Sequence, residues 1–213
     1  MADMKLYDMK RAPNPRRVRI FLAEKGIEVP MVEVDIVSGE NRAPEFLATN
    51  PRGTLPVLQL DDGTLIDESM AICRYFEARH PDPPLFGRDP LEQAKVEQWQ
   101  RRIELDGLYN VAGIFRNTAP HLAERAAPGA APDMKQIPEL AERSRALLPG
   151  FFRMVESQLA DQEYVAGGNY SVADITLFCT IGFARWVDVG IPDDAPNLQR
   201  WNAAMMQRPS AKA

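Results

Sequence analysis

The 213-residue chain is predicted to fold as a mixed α/β unit followed by an all-helical unit. Three observations carry this. Up to His80, short apolar runs of strand length alternate with segments of helical spacing. Pro81, Pro83 and Pro84 then break the chain, because proline removes a donor and clashes with the preceding turn. Leu91 to Thr118 follows without a proline, with Val96, Trp99, Ile103, Leu108 and Phe115 at helix-compatible spacing. The change of pattern marks a domain boundary: residues 1–81 form the first domain, 82–90 a linker, and 91–213 the helical domain.

Lys5 to Met9 reads as a short strand, stopped by Pro13-Asn14-Pro15 before Arg16 to Lys25 takes up helical spacing. Asn14 suits the N-cap of that helix and Pro15 its first position, while Gly26 supplies an exit. Val29 to Ile36 alternates apolar and acidic residues as a second strand does, and an irregular joint follows. Leu55 to Leu60 and Thr64 to Ile66 flank Asp61-Asp62-Gly63, a hairpin signal because Asp and Gly tolerate positive φ. Met70 to Arg79 then carries Ile72, Tyr75 and Phe76 as a helical stripe.

In the second domain, Pro120 to Pro138 interrupts the helices with a Pro- and Ala-rich irregular segment. Ala141 to Leu159 is a helix expected to be irregular at Leu148-Pro149-Gly150. Ser171 and Asp174 match a capping box ahead of the apolar run Ile175 to Val187. Pro196 to Met206 is the terminal helix, and the closing Arg208-Pro-Ser-Ala-Lys-Ala is expected to fray.

Composition narrows the function. With 25 Lys plus Arg against 30 Asp plus Glu, the net charge of −5 gives no broad attraction for nucleic acid. The N-terminus lacks the apolar run of a signal peptide, and no stretch nears the roughly 20 apolar residues that span a bilayer, so a cytoplasmic, non-membrane protein is expected. Cys73 and Cys179 form neither a CxxC pair nor a ligand cluster and read as buried thiols; no metal is expected. His80 and His121 have no partner cluster and read as surface residues.

The most informative segment is Asn50-Pro-Arg-Gly-Thr-Leu-Pro-Val-Leu. A cis bond before Pro56 would present the backbone of Leu55 to a peptide-like ligand, which then adds as an extra strand. The same residues also fit a structural turn before an ordinary edge strand. At Asp67-Glu68-Ser69, Ser69 and the N–H groups of a helix start can receive a carboxylate, and Glu68 an ammonium; a plain helix cap fits as well.

Taken in order, Leu6-Tyr7, Pro13-Asn14-Pro15-Arg16-Arg17-Val18-Arg19, Asn50-Pro51-Arg52-Gly53, Leu55-Pro56-Val57-Leu58, Asp67-Glu68-Ser69 and Gly168-Asn169-Tyr170-Ser171-Val172-Ala173-Asp174 resemble the glutathione transferase superfamily over nearly the whole chain. The resemblance implies a thioredoxin-like domain that binds glutathione, a helical domain that shapes a second-substrate pocket, and a homodimer. It implies further that Leu55 is the backbone partner of the cysteinyl part, that Pro56 is cis, and that Glu68 and Ser69 hold the γ-glutamyl end. Arg52 is the candidate for the glycyl carboxylate, and Ser171 with Asp174 is a structural cap. The loop is atypical: Ala12-Pro13-Asn14 stands where several classes place serine, and Asn14 resembles the asparagine of some bacterial members with disulfide-reductase activity.

Asn14 is therefore the catalytic candidate, its amide donating to the glutathione thiolate, with helix capping as its other reading. Tyr7 lies on the strand before the loop and reads as a packing residue or the donor of a structural hydrogen bond. Of Arg11, Arg16, Arg17 and Arg19, at least some are expected to face solvent. The expected reaction is conjugation of the glutathione thiolate to a small, hydrophobic electrophile. Glutathione-dependent disulfide reduction and a non-catalytic glutathione-binding or protein-interaction module are the alternatives.

Overall fold

The computed structural model describes residues 3–213. The chain enters as strand β1 (Lys5–Asp8), helix α1 (Pro13–Lys25) and strand β2 (Met31–Glu33). Helix α2 (Pro44–Thr49), strands β3 (Val57–Gln59) and β4 (Leu65–Asp67) and helix α3 (Ser69–Arg79) follow. The sheet order is β2-β1-β3-β4; β1 and β2 run parallel, while β3 pairs antiparallel with both neighbours. This is the thioredoxin-like arrangement, with α1 as the crossover between two parallel strands.

Helix α1 starts earlier than the sequence predicts. Ala12 is its N-cap and Pro13 takes the first position, so Asn14 lies inside the first turn and makes no capping bond. Either proline can open a helix, because its missing N–H has no intrahelical partner there, and the chain uses the first. Gly26 closes the helix in the left-handed region at φ 65°. The second strand is shorter than its alternation suggests. Met31 and Val32 are exposed on the edge strand β2, while beyond it Val34 turns inward onto a small core with Phe46, Leu55 and Val57, against which Ile36 also packs.

Residues 80–89 contain no helix or strand. Asp89 then caps α4 (Pro90–Arg102), its carboxylate accepting from the N–H groups of Leu91 and Glu92. Without a break the backbone widens into a π-type segment at Ile103–Leu108 and continues as α5 (Tyr109–Thr118). Gly107 faces the Phe151 ring at a distance where a Cβ would come within 2.5 Å, so glycine lets α6 pack against the widened turn. Helix α6 (Pro138–Ala160) continues across Pro149, the position expected to be irregular; buried Leu148, Phe151, Phe152, Val155 and Leu159 hold both sides of the proline to one core.

Helix α7 (Val172–Ala184) is buried on nearly every side and mostly apolar, as suits a helix between two layers. Val172, Ile175 and Cys179 pack with α1 and α3, while Ala173, Leu177 and Ile181 face α6 and α8 (Pro196–Gln207). Its start is held by Asp174, which accepts from the N–H of Ser171 at 3.0 Å, the N–H of Val165 at 2.9 Å and the indole N–H of Trp201 at 2.9 Å. The C-terminal tail does not fray. Arg208 makes a two-pronged pair with Glu24 of α1 at 2.8 and 2.7 Å and stacks on Tyr170. Arg16 donates to the carbonyl of Ala211 at 2.9 Å. A charged clamp, invisible to hydrophobic patterning, pins the tail.

Candidate functional site

Sheet register decides what meets at the site. Tyr7, near the C-terminal end of β1, pairs with Val57, the first residue of β3, and Val57 pairs in turn with Asp67, the last residue of β4. The segments just beyond these residues, Met9 to Asn14, Leu55–Pro56 and Glu68–Ser69, therefore emerge at one edge of the sheet. Short strands achieve this because each contributes only three or four residues before its loop.

The Leu55–Pro56 bond is cis. Among the described residues, the N–H and carbonyl of Leu55 take no hydrogen bond, although the side chain is buried. An unpaired backbone donor and acceptor at the start of a strand can receive an extended peptide. Arg52 is engaged within the protein, its guanidinium lying 2.5 Å from Glu68 and 3.3 Å from Asp67. Asn50 braces the loop, accepting from the Arg52 N–H at 3.1 Å and donating to the Thr54 carbonyl at 2.9 Å.

Glu68 stands before α3 with φ 68°, a left-handed conformation that is unfavourable for a residue with a side chain. Strain of this kind gathers at ligand clamps. Ser69 is buried, and its hydroxyl oxygen accepts from Arg17 at 2.6 Å; among the described residues that hydroxyl donates to no other group. The same guanidinium holds Glu104 of the π-type segment at 2.6 Å, and Thr176 of α7 donates to Gln100 at 2.9 Å beside it. Among the described residues, Arg17 Nε and Gln100 Nε2 have no hydrogen-bond partner.

Glu104, Gln100 and Thr176 were not singled out by sequence reasoning, and Arg17 was noted only as one of four clustered arginines. The available signal was a charged or polar residue on the buried stripe of each helix: Arg17 lies one turn from Phe21, and Gln100 and Glu104 flank Ile103. Of the four arginines near the start of α1, Arg11 faces solvent, as at least some were expected to, and Arg16 is half-buried. Arg17 and Arg19 are buried, the latter paired with Asp8 at 2.5 Å. Partners on neighbouring elements hold them there: Ser69 and Glu104 for Arg17, and Asp8 for Arg19.

Asn14 is exposed and its side chain makes no hydrogen bond among the described residues. Pro13 and Pro15 have no N–H, and the Arg16 N–H is committed to the Ala12 carbonyl at 3.2 Å. The positive end of α1 therefore offers an anion two free donors on one residue, the backbone N–H and the amide of Asn14. Tyr7 donates to Gln59 at 3.1 Å and packs edge-on against Phe46, which occupies its hydroxyl within the sheet. A cavity of about 360 Å³ elsewhere, lined by Glu24, Tyr170 and Arg208, includes none of these residues. No cluster of three or more His, Cys, Asp or Glu side chains placed for a metal ion occurs among the described residues.

Comparison with known proteins agrees with this arrangement. Residues 12–79 match the model of the glutathione S-transferase N-terminal domain, and residues 120–209 that of the C-terminal domain. The chain is 38% identical over 211 residues to glutathione S-transferase 2 of Saccharomyces cerevisiae, covering 98% of this chain and 88% of the relative. The crystal structure of Gtt2 from Saccharomyces cerevisiae superposes with a TM-score of 0.88 at 38% identity over 98% of each chain. A glutathione S-transferase domain-containing protein of Marinobacter aquaeolei superposes with the same score at 36% identity, over 97% of this chain and 98% of that one. With sheet, helical domain and near-complete coverage all in agreement, the chain belongs to the glutathione S-transferase family.

Proposed function

We propose that the protein binds glutathione along the sheet edge and transfers its thiolate to the electrophilic carbon of a small, hydrophobic co-substrate. The observation that carries this reading is the register that brings the free peptide of Leu55, the helix start at Glu68–Ser69 and the donors of Asn14 to one edge. The γ-glutamyl carboxylate accepts hydrogen bonds from the Ser69 hydroxyl and the first N–H groups of α3, and Glu68 receives the ammonium. The cysteinyl backbone pairs with Leu55, in line with the cis bond at Pro56. Arg52, already committed to Glu68 and Asp67, serves the glycyl carboxylate only at the rim, and its first duty is to orient Glu68.

Asn14 stabilises the thiolate, and no protein nucleophile is needed because glutathione supplies the sulfur. A free thiol has a pKa near 8.5, so donors aimed at the thiolate raise its fraction at neutral pH. Calorimetry with glutathione, thiolate absorbance against pH, and turnover with an electrophile test the reading together. Binding with a depressed thiol pKa and multiple turnovers is expected, and Glu68→Gln weakens binding while leaving the fold intact. Binding without ionisation or turnover would instead identify a non-catalytic module. Turnover with disulfides alone would identify a reductase. The protein acts as a symmetric homodimer in this reading, with domains 1–81 and 91–213 joined through 82–90. Sedimentation showing only monomer at micromolar concentration would overturn the dimer.

A further inference from the structure

The segment between α5 and α6 is a strap built by the helical domain and laid on the other one. Its base is stitched to its own domain: Gln136 donates through its side chain to the carbonyls of Arg116 and Ala119 at 2.9 and 2.8 Å. Two backbone bonds, Gln136 to Ala123 at 3.1 Å and Ala126 to Met134 at 2.8 Å, close it into a hairpin-like loop. Its tip, residues 128–133, then crosses to the loop that precedes Leu55. There the Ala130 N–H donates to the Arg52 carbonyl at 2.8 Å, and Asp133 pairs with Arg42 at 2.7 Å.

The crossing point is made of two glycines in the left-handed region, Gly53 and Gly129, each at φ +61°. A Cβ on Gly129 would collide with the Arg52 carbonyl oxygen, and one on Gly53 would stand 2.9 Å from the Ala130 nitrogen. Both faults lie against backbone, which has no flexible end to move aside. On its inner side the same loop is held by Asn41, whose amide donates to the Gly53 carbonyl at 2.7 Å. Arg52 is thus gripped at its carbonyl by the strap and at its guanidinium by Glu68.

We propose that the strap tip, Gly129 to Asp133, is a positioning device for the glutathione-binding peptide. Acting through Arg52 and Arg42, it holds Leu55–Pro56 in place relative to Glu68–Ser69 and sets the affinity for glutathione while taking no part in the chemistry. This rests on the reading that glutathione docks on Leu55. A loop ordered before the ligand arrives spares the complex the entropy of ordering it. Releasing the strap therefore weakens glutathione binding, whereas turnover at saturating glutathione is retained.

Two variants test this in the full-length protein, with glutathione affinity by calorimetry, kcat and KM for each substrate, and thermal unfolding. Gly129→Ala lifts the strap and raises Kd and KM for glutathione about tenfold, with kcat and the KM for the electrophile unchanged. Asp133→Asn removes an exposed ion pair and raises the glutathione Kd roughly twofold. The combined exchange Arg42→Asp with Asp133→Arg restores the wild-type value. If Gly129→Ala fails to fold, the Asp133→Asn and exchange pair decides: loss in the first and recovery in the second support the role. Wild-type affinity in folded Gly129→Ala, or in Asp133→Asn where Gly129→Ala does not fold, overturns it. A wild-type protein that does not bind glutathione overturns the docking reading and this one with it, whereas normal wild-type binding with unaltered variants overturns the strap's role alone.

Discussion

At the scale of single residues, the first turn of α1 divides two functions that the sequence offers to Asn14. Ala12 caps the helix, so Asn14 is released from that duty. Asn14→Ala keeps the backbone N–H and loses the amide, and is expected to raise the pKa of bound glutathione by about one unit, worth about 1.4 kcal/mol. Asn14→Asp raises it further, because a carboxylate opposes the nearby thiolate. Both variants stay within about 0.5 kcal/mol of wild-type stability, as for surface changes away from a cap. Thiolate absorbance against pH, run beside thermal unfolding, checks both statements; an unchanged pKa in both variants returns the role to the backbone N–H. Asp174 sets a different pH response. Burial pushes its carboxyl from 3.8 up to about 6, against the pull of the N–H groups of Val165, Trp201 and Ser171. The folded state therefore binds the extra proton between those values, and this contribution to stability is full below the unfolded pKa and lost as pH rises through about 6. In Asp174→Asn the slope of melting temperature against pH across that window is expected to flatten.

Among the elements, what could be read beforehand followed from periodicity and punctuation. The hairpin at Asp61-Asp62-Gly63, helix α3, the long α4–α5 run and the Ser171–Asp174 start of α7 all carry local signals, and each stands close to its expected bounds. Helix α2 escaped notice because six residues with one buried side chain, Phe46, are too few to show a period. The tail at Arg208 and the buried Arg17 escaped for another reason: their partners, Glu24 and Glu104, lie 184 and 87 residues away, and no local pattern reports so distant an ion pair. At the site, the Leu55–Pro56 and Glu68–Ser69 segments were legible from turn chemistry. The network behind Ser69, which requires two helices from the second domain, was not. Helix α6 yields a prediction of its own. Gly150 is exposed in a helix interior, and a Cβ there would meet nothing nearer than an Arg153 nitrogen at 4.0 Å. Gly150→Ala is expected to stabilise the protein by about 0.5–1 kcal/mol through the lower entropy of the unfolded chain. Chemical denaturation with an unchanged m-value and a higher midpoint checks it.

For the whole molecule, the decisive feature is that the core beneath the sheet is completed by the other domain. Leu6, Val18, Phe21, Ile72 and Phe76 pack in one cluster with Val96, Val172, Ile175 and Cys179. An N-terminal domain deprived of α7 would expose that face, so calorimetry of the intact chain is expected to show one transition. Two separated transitions would contradict this. The two thiols take on a meaning from the same packing. Cys73 on α3 and Cys179 on α7 are both buried in that shared cluster, and burial pushes the Cys179 thiol up to about 11 and the Cys73 thiol higher still. Neither is reactive while the cluster is closed, since the thiolate is the attacking form. Each becomes a clock: under native conditions, an added alkylating reagent can modify them only as often as the domains come apart, and the two residues, though on different domains, should be labelled at one common rate.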